Sequence, residues 1–167
     1  MAVLHKVGKT CSRKIVAYMV GGGAMAIRGE KVATKDVDLI LESDEDVRDL
    51  RMAFTAEGFE VKVRHPEECR QLVDAVVLTA TEGMRVDIFV RRVCNKLLFS
   101  EGMKRRSEIY GEMGCISLHI CSREDIFLLK SVTERNRDLD DMVVLYRKGI
   151  DKAILIDECQ SSYIRAS

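Results

Sequence analysis

The feature that most restricts the fold of this chain is an apolar run that stops on three glycines. Ile15-Val16-Ala17-Tyr18-Met19-Val20 is followed at once by Gly21-Gly22-Gly23. Six apolar residues closed by a glycine cluster read as a buried strand entering a tight turn. Three successive missing side chains let backbone amides approach an anion at the strand end, and a helix N-terminus behind them would add to that pull. Ala24 to Ile27 has room for a short helix capped by Gly29, and Glu30 to Lys35 reads as a polar loop.

The next segment, Asp36-Val37-Asp38-Leu39-Ile40-Leu41-Glu42, begins with strict alternation. In a strand, Val37, Leu39 and Leu41 then share one face, while Asp36, Asp38 and Ile40 share the other. Ser43 is placed to cap a helix with Asp46 at its third position, and the near-helical spacing of Val47, Leu50, Met52 and Phe54 carries that helix to Gly58. Phe59 to Val63 alternates, Leu72 to Leu78 is apolar, and Met84 to Val90 alternates after a turn at Glu82-Gly83, which predicts a hairpin for the last two. Met103 to Met113 has no clear period, and Gly111 and Gly114 limit any helix there. Ile116 to Ile120 is one more strand. Ser122 caps a helix through Ile126, Leu129, Lys130 and Thr133, and a second helix runs from about Asp138 to Lys148 before Gly149.

These elements predict an α/β (α+β) protein with a mixed, twisted sheet and helices packed mainly on one side. At 167 residues one domain is the default, with its core over about 15–93 and a C-terminal strand and helices over about 115–150. A composition of 47% hydrophobic and 32% charged residues with one proline excludes disordered and low-complexity classes. The formal net charge of +0 gives no whole-molecule field for nucleic acid or anionic lipid, which leaves Lys104-Arg105-Arg106 as the one local basic run. Cys11, Cys69, Cys94, Cys115, Cys121 and Cys159 form no C-x-x-C pair and read as reduced thiols. His65 and His119 lack ligand-spaced partners and read as structural. The N-terminus has no signal-peptide pattern and no stretch is apolar enough to span a bilayer, so a cytoplasmic protein is expected.

Phosphoryl-group chemistry needs a divalent metal between carboxylates and phosphate oxygens, and a backbone turn that admits the phosphates. Asp36 and Asp38 on one strand face can hold a metal together. Asp87, which interrupts an otherwise apolar strand where a lone charge is costly, is the natural third carboxylate. It could instead pair with Arg85 or Arg91.

The order Gly21-Gly22, Thr34-Lys35-Asp36-Val37-Asp38-Leu39, then Val86-Asp87-Ile88-Phe89 resembles the nucleotidyltransferase superfamily, over about Tyr18 to Tyr146. It is most similar to small prokaryotic members with G-G-x-A and T-K-D-x-D-L, the abortive-infection-toxin-like and lincosamide nucleotidyltransferases among them. The resemblance implies metal binding and catalysis by Asp36, Asp38 and Asp87, with Mg2+ or Mn2+ as cofactor. It further implies ATP or another nucleoside triphosphate as substrate, Asp87 activating the attacking hydroxyl, and nucleotide contacts from Gly21, Gly22, Gly23, Thr34, Lys35 and Lys130. Arg135 to Asp141 resembles an R-x-x-D-x-x-D stretch of the same relatives, although taken as residues its charges read as a solvated helix face.

Two features depart from the pattern. Gly22 stands where many transferases have a phosphate-binding serine, and the arginine-aspartate pair of tRNA CCA-adding enzymes is absent, as is a long C-terminal domain, so a tRNA-length acceptor is not expected. A protein hydroxyl, an RNA end and a small molecule all stay open as acceptor, as does a homo-oligomeric state. Two rival readings stay open as well. Gly21-Gly22-Gly23-Ala24-Met25-Ala26 also fits G-x-G-x-x-[GA] with Glu42 downstream, the fingerprint of a dinucleotide-binding Rossmann-type protein. The same fold could alternatively serve binding alone, as in an antitoxin or regulatory protein.

Overall fold

A computed structural model describes residues 1–62, 75–94, 96–133 and 135–164. In chain order the elements are α1 (Ala2–Gly8), β1 (Ile15–Val20), α2 (Gly21–Ile27), β2 (Asp36–Leu41), α3 (Asp44–Ala56), β3 (Glu60–Lys62), β4 (Ala75–Thr79) and β5 (Arg85–Val90). A small hairpin follows, β6 (Arg92–Val93) with β7 (Leu97–Leu98), then α4 (Glu101–Arg106), β8 (Glu108–Met113), β9 (Ile116–Ile120), α5 (Arg123–Ser131), α6 (Asn136–Arg147) and α7 (Lys152–Ile164). His65, Cys69 and the first part of the strand expected over Leu72 to Leu78 lie outside the described residues.

The sheet is mixed, in the order β3-β4-β5-β2-β1-β9-β8. β1 runs antiparallel to β2 and parallel to β9, β2 runs parallel to β5, and β4 and β5 form the expected hairpin. Because β1 and β2 are antiparallel, the glycines do not open a parallel βαβ unit, which removes the dinucleotide-binding reading.

The core explains the alternation. Leu39 and Leu41 of β2 are completely buried with Val86 and Ile88 of β5 and with Leu50 and Phe54 of α3, the helix behind that face. Burial of each such side chain contributes about 1.5–3 kcal/mol. The hydrophobic core also takes in Leu4 and Val7 of α1, which the sequence left unassigned, and Leu145 of α6. Both sequence-read caps are present: Ser43 Oγ accepts from the Asp46 amide at 3.1 Å, and Ser122 Oγ accepts from the Asp125 amide at 3.2 Å. Among the described residues no helix is long and apolar enough to cross a membrane.

The basic run is largely internal. Lys104 pairs with Glu42 and Glu101, both at 2.8 Å, and Arg106 pairs with the buried Asp125 and Glu158. Among the described residues, Arg105 alone of the three is exposed and without an ion pair. His119 is structural, as expected: its Nδ1 lies 3.2 Å from Ser107 Oγ and its ring stacks near Tyr18.

Candidate active site

The glycines do more than turn the chain. α2 begins at Gly21 itself, so they form its first turn, which sequence reasoning had left outside the helix. Gly21 has φ +62, and a Cβ there would overlap Asp38 Oδ2. Any L side chain at this position would therefore be strained and would also displace the carboxylate. A Cβ on Gly22 would come within 3.3 Å of Thr34 Oγ1, whereas Gly23 faces away and packs on Met19.

The register of the sheet brings the acids together. Asp38 is abreast of Val20 on β1 and of Asp87 on β5, and Asp36 is abreast of Arg85. Asp38 and Asp87 therefore face the same cleft from neighbouring strands, as the alternation required. Neither Asp36 nor Asp38 has its carboxylate held by a hydrogen bond or ion pair within the described residues. Burial, with the charge of Asp87 second and that of Asp36 smaller, pushes the Asp38 carboxyl up to about 6, against the lowering pull of Arg135 and Lys130.

Asp87 differs. It is buried, and Arg85 grips both of its oxygens, Nε to Oδ1 at 2.7 Å and Nη2 to Oδ2 at 2.9 Å. Arg91, the other partner considered from sequence, instead donates to the backbone oxygen of Glu42. The hydrogen bond to Asp87 raises the Arg85 guanidinium most, and the charges of Asp87, Asp36 and Asp38 add to it against burial. Arg85 thus feels all three acids.

Across the cleft from the glycines stand α5 and α6. The cleft is lined by Gly22, Thr34, Asp36, Asp38 and Asp87 on the sheet side and by Lys130, Arg135, Arg137, Asp138 and Asp141 on the helix side, with Lys31 between. Lys130 is not available to a phosphate. It is buried and donates to Asp138 at 2.8 Å and to Asp141 at 2.7 Å. Burial alone would raise these two acids, but hydrogen bonds, from Lys130 first, hold both below the usual carboxylate range. Lys31 closes on Asp141 at 2.8 Å and Arg135 on Asp138 at 2.6 Å. Asp138 is therefore an internal anchor rather than part of a solvated face. Arg137 is the one cation lining the cleft that has no ion pair among the described residues. Lys35 lies exposed beside the strand start and is not among the lining residues.

This donor set suits a divalent cation in its chemistry but not yet in its arrangement. The chemistry fits, since two unpartnered carboxylates and a buried third share one face and repel one another. The arrangement is incomplete as it stands: among the described residues no three acidic, histidine or cysteine side chains converge to hold one ion. Arg85 meanwhile grips both oxygens of Asp87.

No protein-family profile matches this chain, and no curated protein does. Solved structures do. The antibiotic-resistance factor ANT(2'')-Ia in solution superposes with a TM-score of 0.63 at 12% identity, covering 99% of this chain and 92% of its own. The crystal structure of ANT(2'')-Ia in complex with adenylyl-2''-tobramycin gives 0.61 at 13%, covering 99% and 98%. The lincomycin-bound lincosamide antibiotic adenylyltransferase LnuA gives 0.53 at 13%, over 82% and 88%. This chain has the nucleotidyltransferase fold.

Proposed function

We propose that a chain with this fold moves a nucleoside monophosphate from a nucleoside triphosphate to a hydroxyl acceptor, with release of pyrophosphate. The observation that carries the reading is the like-charged pair Asp38 and Asp87, side by side in register, next to a glycine turn that only glycine can form there. Asp87 is neutralised by Arg85, whereas Asp38 has no partner among the described residues and is repelled by Asp87, an electrostatic demand that a ligand can satisfy.

Asp36 and Asp38 would hold Mg2+ or Mn2+, and Asp87 would complete that site and orient the acceptor hydroxyl. When bound, the cation supplies charge neutralisation at the phosphate oxygens and at the leaving pyrophosphate. The chain itself does the positioning. The amides of Gly21 and Gly22 admit the phosphates, and Arg137 attracts them from the opposite wall. Lys130, sequestered by Asp138 and Asp141, serves to fix α6 against α5 so that Arg137 stays at the rim.

Of the similar structures, ANT(2'')-Ia is bound to adenylyl-2''-tobramycin and LnuA is a lincosamide antibiotic adenylyltransferase bound to lincomycin. ATP and a hydroxylated antibiotic are accordingly the first donor and acceptor to try. The test is incubation of the protein with each labelled NTP, Mg2+ and candidate acceptors, including a cell extract, with Asp38→Asn as control. Transfer of label that vanishes in Asp38→Asn is the expected result. Nucleotide binding without any transfer would favour a non-catalytic binding protein, the reading that the Arg85 grip on Asp87 also supports. Absence of both binding and transfer would end the proposal.

A further inference from the structure

One side chain, Arg85, engages the third acid of the cluster. Arg85 and Asp87 are two apart on β5, so they share a face, and the same register sets Arg85 abreast of Asp36. Arg85 therefore projects from between the strand positions that carry all three acids. Its two donors engage both Asp87 oxygens in the planar geometry that guanidinium and carboxylate share. The Arg85 side chain is 38% exposed while that of Asp87 is 6% exposed. One partner is fixed in the protein, and the other reaches in from the solvent edge on a flexible stem.

The geometry points to Arg85 as a built-in counter-ion that occupies the place of the metal at Asp87 and must leave it before a metal can use that carboxylate. The inference rests on the transferase reading and deepens it by naming what controls the site. Arg85 takes one lone pair on each Asp87 oxygen, and its charge repels a second cation brought to the same carboxylate, so metal and Arg85 compete for Asp87. A triphosphate in the cleft offers Arg85 an alternative partner of the same bidentate geometry. Nucleotide would thus draw the arginine off Asp87 and open the site to metal, which couples the two ligands through one side chain. In the nucleotide-free protein the same pair suppresses capture of free divalent ions.

The experiment is titration of Mn2+ into the full chain, followed by the electron paramagnetic resonance of free Mn2+, with and without a non-hydrolysable ATP analogue. Wild type is compared with Arg85→Ala and Arg85→Lys, and thermal melts check that each variant is folded. Without nucleotide, Arg85→Ala is expected to bind Mn2+ about tenfold more tightly than wild type, the factor that about 1.4 kcal/mol represents. Arg85→Lys, which keeps the charge but cannot grip both oxygens, should fall between them. The enhancement of Mn2+ affinity by the analogue should shrink by a similar factor in Arg85→Ala. Equal or weaker Mn2+ binding by folded Arg85→Ala in the absence of nucleotide overturns the competition. If wild type binds no Mn2+ even with the analogue, the transferase reading itself fails, an outcome distinct from the first.

Discussion

Two acidic clusters in this molecule show opposite handling of charge. Behind α4, Asp125 and Glu158 are buried and both accept from Arg106, Asp125 also accepts from Ser122 Oγ at 2.7 Å, and Gly102 leaves the room that Glu158 fills. Every charge there has a partner, and the cluster ties α4, α5 and α7 together. On the cleft face, Asp36 and Asp38 have none, and Asp87 has one that reaches in from the edge. The contrast separates charge used to hold a fold from charge held in reserve for a ligand. The matched cluster costs little to keep and much to break. The unmatched one leaves Asp38 in an unfavourable charged state, which on the proposed reading a ligand from outside relieves.

The difference can be broken from either side. The largest effect should come from the reserve cluster as function: Asp38→Asn is expected to lower nucleotidyl transfer by about a thousandfold, roughly 4 kcal/mol of barrier, in a labelled-NTP assay. Its fold should persist, since a repelled charge is removed. The matched cluster should respond in the reverse sense. Asp125→Ala takes from Arg106 one of its two buried carboxylates and from Ser122 Oγ its acceptor, and should lower unfolding free energy by about 3 kcal/mol in a urea titration.

The pH dependence of stability sharpens the distinction. The Asp38 carboxyl lies near 6 in the folded chain against 3.8 as its ordinary value, so the folded state binds the proton more tightly. Its contribution is fully present below about 3.8 and is lost as pH rises through about 6. Relative to Asp38→Asn, wild type should therefore lose about 2 kcal/mol across that window, after allowance for solvent screening. Parallel stability profiles for the two proteins would remove the claim that this carboxylate is held in an unfavourable state. A smaller effect is expected for Arg137→Ala, which should weaken ATP-analogue binding about tenfold in calorimetry while leaving the melting temperature in place. Smallest of all, Glu108→Ala removes a surface partner of Arg28 and should change stability by less than about 0.5 kcal/mol. A larger change there would mean that matched charge matters even in solvent.

Much of the sheet side of the cleft was legible in the residues, because period two carries its own geometry. The alternation from Asp36 to Leu41 fixed which side chains share a face, and Asp87 stood out as a charge in an apolar strand. The serine caps were equally plain, since a hydroxyl three residues before a free amide has a local task. The helix side was not legible. That Lys130 is sequestered depends on how α5 lies against α6, and nothing within either segment states which carboxylates its amine will meet. Asp138 in the pattern of α6 looks like any solvated acid until that packing buries it. Helices α1 and α7 escaped notice because their apolar residues meet partners far along the chain, as Leu4 and Val7 do in the common core. The grip of Arg85 on Asp87 was visible in the sequence as an alternative to metal binding, because the two residues lie two apart on one strand and so share a face.

The parallel pairing of β1 with β9 carries a consequence for how the protein is made. β1 supplies the turn at the heart of the cleft, yet one of its two edges is closed only when Ile15 meets Ile116 and Met19 meets Ile120. During synthesis, that edge emerges from the ribosome long before the strand that covers it, and an open apolar edge is a template for pairing with another nascent copy. The cleft itself cannot be assembled until α6 has been translated. Slow, late ring-closure of this kind favours chaperone holding over rapid spontaneous collapse, and sets expression temperature as the variable to which yield should be most sensitive.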